Sequence, residues 1–580
     1  MAPLVRSVID RLEVREPRRA ITLVVFVALV ARLVALDVRI AHWDEGRVGY
    51  WILHTAATGW WEYRPIIHGP FVQHVTRWTF EIGGVSDFTM RLPVALIGSA
   101  LPATALLFRS RLRDVETIAL GVVLAANPLL LYYSRFMRSD VPVAAFVFVT
   151  FGALVAAVDL DRRRYLHLAA IAFALSLTVK ENAILYPVSW LGAGTLLALS
   201  RLADDHYGNG DPRKTLQRWA RAIRRRAWAW RRSLIVLPVE ILAVFVFFYA
   251  PRSPKTDVGL WSAVADPTLL PGVVRHATLG SMGEIADLWL SPSIRGHAYG
   301  PYLAHFVIVL AVAAAATAVF AALAVRWQPR PIVTFCGWWA LSGVVGYPYV
   351  ADVKAPWLAV HVVIALAIPA AIGLVATVDR IRKARVERRQ LEAIGLAALL
   401  VSSGGFVIAS AGLTTFQQPP HELNIVAQGG QPSGDLRPII EDMQAVAAHN
   451  EGTDVLYYGN LSIRDEARAD HPPVPPRWFN RLPLPWYTER ANATVDSVDT
   501  VADIAADPPP VVIAESDARS DVGGALDGYA VREEAILIRP GPRTISVVGF
   551  EYHLGGKSLA FYIDREALSA ATAGHEGDTR

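Results

Sequence analysis

Eleven apolar stretches divide the first 413 residues of this chain: roughly 20–36, 90–108, 115–133, 141–158, 165–179, 183–200, 233–250, 303–325, 331–349, 357–378 and 393–413. Each comes close to the roughly 20 residues needed to cross a hydrocarbon layer. In hydrocarbon, a helix satisfies its own backbone polar groups within one segment. The pattern therefore predicts an α-helical polytopic membrane protein and excludes a soluble protein with one central core. Composition agrees, with 53% hydrophobic and only 19% charged residues, against roughly a quarter charged in soluble domains. The first stretch follows arginines, as a signal peptide does, but lacks a small-x-small cleavage pattern. It is expected to remain as the first helix. The single cysteine, Cys336, lies inside an apolar run, so no intrachain disulfide holds the water-exposed parts.

The basic residues predict an orientation. Segments 1–19, 109–114, 159–164, 201–232, 326–330 and 379–392 hold 5, 3, 3, 10, 2 and 6 Lys+Arg, 29 in all. They are alternate loops if the eleven spans are right, and a positive excess marks the cytoplasmic side. The intervening loops 37–89, 134–140, 180–182, 251–302 and 350–356 then face outward, as does everything after the last span. From Phe416 the chain carries 25 Asp+Glu against 13 Arg+Lys. An acidic surface keeps a protein soluble where salt screens charge; a saline habitat, chance and an acidic-surface partner remain alternatives. Short β-prone runs at Val455–Tyr458, Val511–Ala514, Ala535–Ile538 and Thr544–Val548 alternate with helical stretches such as Leu436–His449. They predict a C-terminal extracytoplasmic α/β domain. The expected division is a membrane domain at 1–414 with an interfacial first loop at 37–89, and a soluble domain at 415–580. Within that loop, Gly46 to Tyr63 carries Trp51, Trp60, Trp61 and Tyr63 and is expected to lie along the headgroups. Asn460-Leu-Ser462 and Asn492-Ala-Thr494 fit the N-glycosylation acceptor pattern. The chain holds no nucleotide-binding loop or zinc-finger spacing, and no nucleic-acid partner is expected.

The chemistry-bearing residues gather in the outward loops. Asp44-Glu45 follows the first span. Neighbouring helical residues do not share a face, so one carboxylate can meet a substrate while the other orients or caps. His68-Gly69-Pro70 reads as a tight turn that lets a ligand approach the backbone, with His68 beside it; a plain turn explains it as well. Ser134 to Asp140 carries Arg135 and Arg138 on a loop where the positive-inside bias disfavours them. Arginine binds phosphate bidentately, so a lipid phosphate is the expected partner, with snorkelling to ordinary headgroups the plainer account. Asp140 could pair with an arginine or accept a sugar hydroxyl. Lys180 and Lys354 could neutralise a phosphate, with Glu181 and Trp357 beside them. Tyr299 offers a stacking ring for a sugar. His361, one helical turn beyond Trp357, reads as a packed core residue. A divalent metal held by Asp44, Glu45 and His68 is left open, since nothing in their spacing requires it.

These motifs carry a resemblance. Asp44-Glu45, Arg91-Leu92-Pro93 and Arg135…Asp140 resemble the polyprenyl-phosphate-sugar-dependent transferases of the GT-C fold, among them the protein O-mannosyltransferases and the lipid A aminoarabinose transferase. With His68-Gly69-Pro70 and Lys354-Ala-Pro356-Trp357, the chain resembles more closely the archaeal flippase activity-associated membrane proteins of N-glycosylation. Many of those relatives carry threonine where this chain has Ala355. The resemblance implies a cell-membrane glycosyltransferase using a dolichyl-phosphate-linked sugar, with Asp44 as base and Glu45 and His68 orienting Asp44 or the acceptor. It places Arg135, Arg138, Lys180 and Lys354 on phosphate, and Arg91, Asp140, Glu181, Tyr299 and Trp357 on substrate. Membrane lipid and other glycosylation-pathway proteins are the implied partners. An accessory that moves or presents the lipid-linked sugar is the alternative.

Overall fold

The computed structural model describes residues 17–578 apart from 66–67, 209, 253–257, 290–296, 352, 419, 421–423, 428–429, 433, 470–473 and 546–549. Most of segment 1–19, Asp352 and the end of the run Thr544–Val548 therefore lie outside the described residues. The chain divides into two compact units: residues 1–34, 61–75 and 91–416 form the first, and 35–60, 76–90 and 417–580 the second.

Among the described residues every regular element of the first unit is a helix, and its apolar helices make the protein a multi-pass membrane protein. All eleven expected spans coincide with helical segments. Six helices are long and apolar enough to cross a membrane by length and composition, and a bent pair adds a seventh candidate. That pair, Tyr299–Ala313 and Ala315–Trp327, turns by 90° at Ala314. The run is alanine- and valine-rich, without proline or glycine at the break, so hydropathy reads it as one rod. The helix Asp114–Ala126 is likewise followed after Asn127 by the short helix Pro128–Tyr133. Asn127 caps the second piece, its Oδ1 accepting from Leu129 and Leu130 N–H at 3.0 and 3.2 Å.

Burial sorts the spans. The segment Pro356–Val386 has 83% of its apolar stretch buried, whereas Gln390–Phe416 has 11%. The first is the centre of the unit, and the second presents Leu391, Val401 and Ile408 outward as a lipid-facing helix would. The central helix packs on Ala315–Trp327 with the backbones nearly touching. A Cβ on Gly373 would stand 1.8 Å from the Phe320 carbonyl oxygen and 3.1 Å from Ala324 N. Small residues allow such close approach between membrane helices. Gly373→Ala is therefore expected to lower stability by about 1–3 kcal/mol, read as a lower unfolding temperature in detergent. An unchanged midpoint would contradict this packing.

The second unit contains a five-stranded sheet. Its strands are β1 (Val455–Tyr458), β2 (Val495–Val498), β3 (Val511–Glu515), β4 (Tyr529–Ile545) and β5 (Phe550–Asp564). Their order is β2-β1-β3-β5-β4. β1 runs parallel to β2 and β3, and β5 runs antiparallel to β3 and β4. Leu456, Val512, Ala514, Ala560 and Tyr562 form one apolar face with Ile504 and Val522 of the connecting helices. The helix expected at Leu436–His449 is Arg437–Ala447. The first-loop helix, Trp43–Thr58, belongs to this unit. Its aromatic residues have packing partners there: Tyr50 and Trp51 lie 5.1 and 6.3 Å from Trp478, ring to ring. Gly46 and Gly49 admit Pro483 and Trp486, which a Cβ at either position would meet at 2.7 Å.

Candidate functional site

Segments far apart in sequence meet at one buried cluster in the membrane unit. The turn at 134–139 joins helix Pro128–Tyr133 to helix Asp140–Leu160. Arg138 Nε donates to Asp140 Oδ2 at 3.1 Å, and both side chains are buried. The guanidinium carbon of Arg138 sits 4.2 Å from the centroid of the Trp357 ring, within cation–π range. His361, one turn further along, has Nε2 3.9 Å from Asp140 Oδ1. Its Nδ1 is hydrogen-bonded to the Tyr186 hydroxyl, and the Tyr347 ring lies 5.1 Å away. Lys180, at the end of helix Arg164–Val179, is within electrostatic reach of Asp140. Asp140 Oδ1 has no hydrogen-bond partner among the described residues. Arg138 is thus held by its edge and its face, and Asp140 keeps one buried acceptor atom for another donor.

Arg135 is used differently. Its Nη1 donates to the carbonyls of Ala31, Arg32 and Val34 at 3.1, 2.9 and 2.7 Å, and its guanidinium lies 5.0 Å from the Phe416 ring centroid. Those carbonyls end the first helix, Pro17–Leu33, where orphan acceptors and the helix dipole favour a cation. Beside it stands Arg32, which the sequence reading passed over. Arg32 is fully buried. Its Nη1 donates to the carbonyls of Ala28 and Ala125 at 3.2 and 3.3 Å, while Nε and Nη2 have no hydrogen-bond partner among the described residues. The signal for it was a lone arginine inside the first apolar run, since an ionisable residue within a span is functional by default.

The turn His68-Gly69-Pro70 abuts the segment that holds Lys180. Gly69 N–H donates to the Val179 carbonyl at 2.9 Å. A Cβ at Gly69 would lie 2.4 Å from Thr178 O and 2.8 Å from Val179 O. Glycine is thus needed because the chain's own backbone approaches here. His68 is buried beside it. Glu181 accepts from the Tyr63 hydroxyl. Burial, and then the Glu181 carboxylate, push that phenol well above its ordinary pKa, so Tyr63 stays a donor. Lys354 is exposed, within electrostatic reach of His305. The next residue, Ala355, is clamped through its backbone: Tyr302 Oη accepts from its N–H at 2.8 Å and donates to its carbonyl at 3.0 Å. Tyr299 donates its hydroxyl to Val345 O at 3.1 Å and pairs edge-on with Tyr349, and none of these contacts reaches Arg138. Arg91 is fully buried on helix Asp87–Ala100.

In the second unit, Asp44 and Glu45 take separate roles. Glu45 is fully buried, and its Oε2 accepts from His42 N–H at 3.0 Å. The His42 ring returns the favour, its Nδ1 accepting from Asp44 N–H at 3.0 Å, which closes a capping box. Glu45 is a helix cap. The Asp44 side chain is 16% exposed, with Oδ2 3.7 Å from His42 Nδ1. Burial holds the Arg47 guanidinium below its ordinary pKa, and the nearby Asp44 opposes that shift. Among the described residues, no group of three or more His, Cys, Asp or Glu gathers to hold a metal ion.

The chain has a GT-C-like fold, with apolar helices and a small C-terminal sheet domain. The structure is similar to ArnT from Cupriavidus metallidurans bound to undecaprenyl phosphate, with a TM-score of 0.52 at 16% identity, covering 93% of this chain and 97% of that one. For the apo state of that protein the TM-score is 0.51 at 15% identity, covering 94% and 98%. The S. cerevisiae protein O-mannosyltransferase Pmt1-Pmt2 complex bound to the sugar donor matches at 0.31 and 19% identity over 40% of this chain and 33% of that one, a score that carries no argument. By family, residues 436–549 match the Agl23 flippase-associated protein C-terminal domain, and residues 67–206 match dolichyl-phosphate-mannose-protein mannosyltransferase. The resemblance drawn from the loop motifs is borne out. A comparison with curated proteins gave no match.

Proposed function

We propose that this protein is a membrane glycosyltransferase that takes a sugar from a polyprenyl phosphate, dolichyl phosphate in an archaeal cell, and transfers it on the outer face to a surface glycoprotein or its lipid-linked glycan. The carrying observation is the cluster of Arg138, Asp140 and Trp357. An arginine oriented by a carboxylate and stacked on an indole presents a fixed fork, the geometry suited to phosphate. Asp140 Oδ1 is a buried acceptor that a sugar hydroxyl would satisfy, and buried polar atoms are rarely left without a partner. The fold and the mannosyltransferase match support the same class.

In this mechanism Asp44 takes the proton from an acceptor hydroxyl, whose oxygen attacks the anomeric carbon. The bond from that carbon to the phosphate oxygen breaks, and its electron pair leaves with the lipid phosphate. One displacement inverts the anomeric configuration. A phosphate leaving group needs no general acid; it needs positive charge, supplied by Arg138, with Lys180 and Lys354 as further cations. Arg135 supports the site by fixing the end of the first helix to the 134–139 turn. The acidic C-terminal domain lies outside the cell, where the acceptor is. The direct test is incubation of the protein in nanodiscs with a dolichyl-phosphate-linked hexose and an acceptor from the same cells. Inverted product and released dolichyl phosphate are expected.

A second reading rests on the match of residues 436–549 to a flippase-associated domain: the protein would move or present the lipid-linked sugar without cleaving it. Lipid-linked sugar that is bound but never cleaved would establish that reading in place of the first.

A further inference from the structure

The helix Pro212–Tyr249 has 38 residues, which at about 1.5 Å per residue is about 57 Å. A hydrocarbon core is only about 30 Å thick. Its apolar part begins near Ser233, so residues 212–232 form an arm outside the hydrocarbon and continuous with a span. That arm carries nine basic residues, Arg213, Lys214, Arg218, Arg221, Arg224, Arg225, Arg226, Arg231 and Arg232, and no acidic one. Among the described residues its one ion pair is Lys214 with Asp211, at 3.6 Å.

The arm is also amphipathic. Leu216, Trp219, Ile223 and Trp230 recur at helical spacing along one stripe. The base of the stripe is covered, since Trp230 is buried against Ala157 and Leu166. Further out the stripe is open, with Leu216 56% and Ile223 70% exposed. On the basic face Trp228 is 70% exposed, under the guanidinium of Arg231 at 4.6 Å. A shallow groove there is lined by Arg224, Arg225, Ala227 and Trp228.

We propose that residues 212–232 bind the anionic lipid headgroups of the leaflet from which the helix emerges, with phosphate on the arginines nearest the span, Arg224, Arg225, Arg226, Arg231 and Arg232. Two features select lipid over a soluble acidic partner. The arm enters the membrane at its own base, so headgroups are at high local concentration. An exposed indole among arginines suits the headgroup layer. The inference does not depend on the sugar-transfer reading.

The test compares the full-length protein in nanodiscs of phosphatidylcholine with nanodiscs in which a third of the lipid is phosphatidylglycerol. Trypsin cleavage within 212–232 is expected to slow at least about tenfold with the anionic lipid, and the protection should fade as salt screens it. In the triple variant R224Q/R225Q/R226Q the protection should be lost while the unfolding temperature is unchanged, because these side chains lie on the surface. Each charge near an anionic surface is worth about fivefold in binding, so three give about a hundredfold. Equal cleavage in both lipids overturns the proposal. So does stronger protection by polyglutamate or RNA than by phosphatidylglycerol, which would assign the arm to a soluble polyanion.

Discussion

Replacing Asp44 by asparagine should slow sugar transfer by about 10²–10⁴-fold, the usual worth of a general base, and leave the unfolding temperature unchanged. The substitution keeps side-chain volume. Asp44 shapes the helix start through its backbone N–H, which donates to His42 Nδ1, and asparagine retains that bond. Glu45→Ala provides the contrast. Its carboxylate closes the capping box, so its loss should appear as about 1 kcal/mol of stability with a lesser effect on rate. Both variants are measured for initial transfer rate and for thermal unfolding. A normal rate in Asp44→Asn, beside a lost retention of dolichyl phosphate in Arg138→Gln, would remove the base from the mechanism and leave the lipid-presenting role.

Asp140→Ala should cost about 3–5 kcal/mol, because it breaks a buried ion pair with Arg138. Removing both members together, as Arg138→Met with Asp140→Ala, should cost clearly less than either single change. The double-mutant cycle isolates their coupling. All three proteins are compared by thermal unfolding in detergent and by binding of dolichyl phosphate. The double variant is expected to fold and to have lost binding. A double variant that still retains the lipid would show that the phosphate is held elsewhere.

The apolar stretches were legible because hydropathy marks them directly, and all eleven lie on helical structure, though 115–133 and 303–325 are each two helices. The break at Ala314 was not, since neither side of it contains a residue that forbids a helix. In the second unit, Val455–Tyr458 and Val511–Ala514 were visible as apolar runs. Val495–Val498 was hidden, because its sequence Val-Asp-Ser-Val reads as loop until β1 pairs with it. At the site, residue type allowed Asp140 an arginine partner, which is Arg138, and read His361 as packed, where it also lies 3.9 Å from Asp140. Sequence could not separate Arg138 from Arg135 or Asp44 from Glu45. In each pair the two are chemically alike, and what parts them is which backbone groups lie nearby: helix-end carbonyls at Arg135 and the helix-start amide of His42 at Glu45.

The phenol of Tyr302 grips residue 355 by main chain alone, both hydrogen bonds going to atoms every residue except proline possesses. The path of the chain into Trp357 is therefore indifferent to whether a methyl or a hydroxyl-bearing group follows Lys354. Alanine at 355 is therefore compatible with an indole presented to Arg138. The fastening lies instead in one ring on the first arm of the bent helix pair.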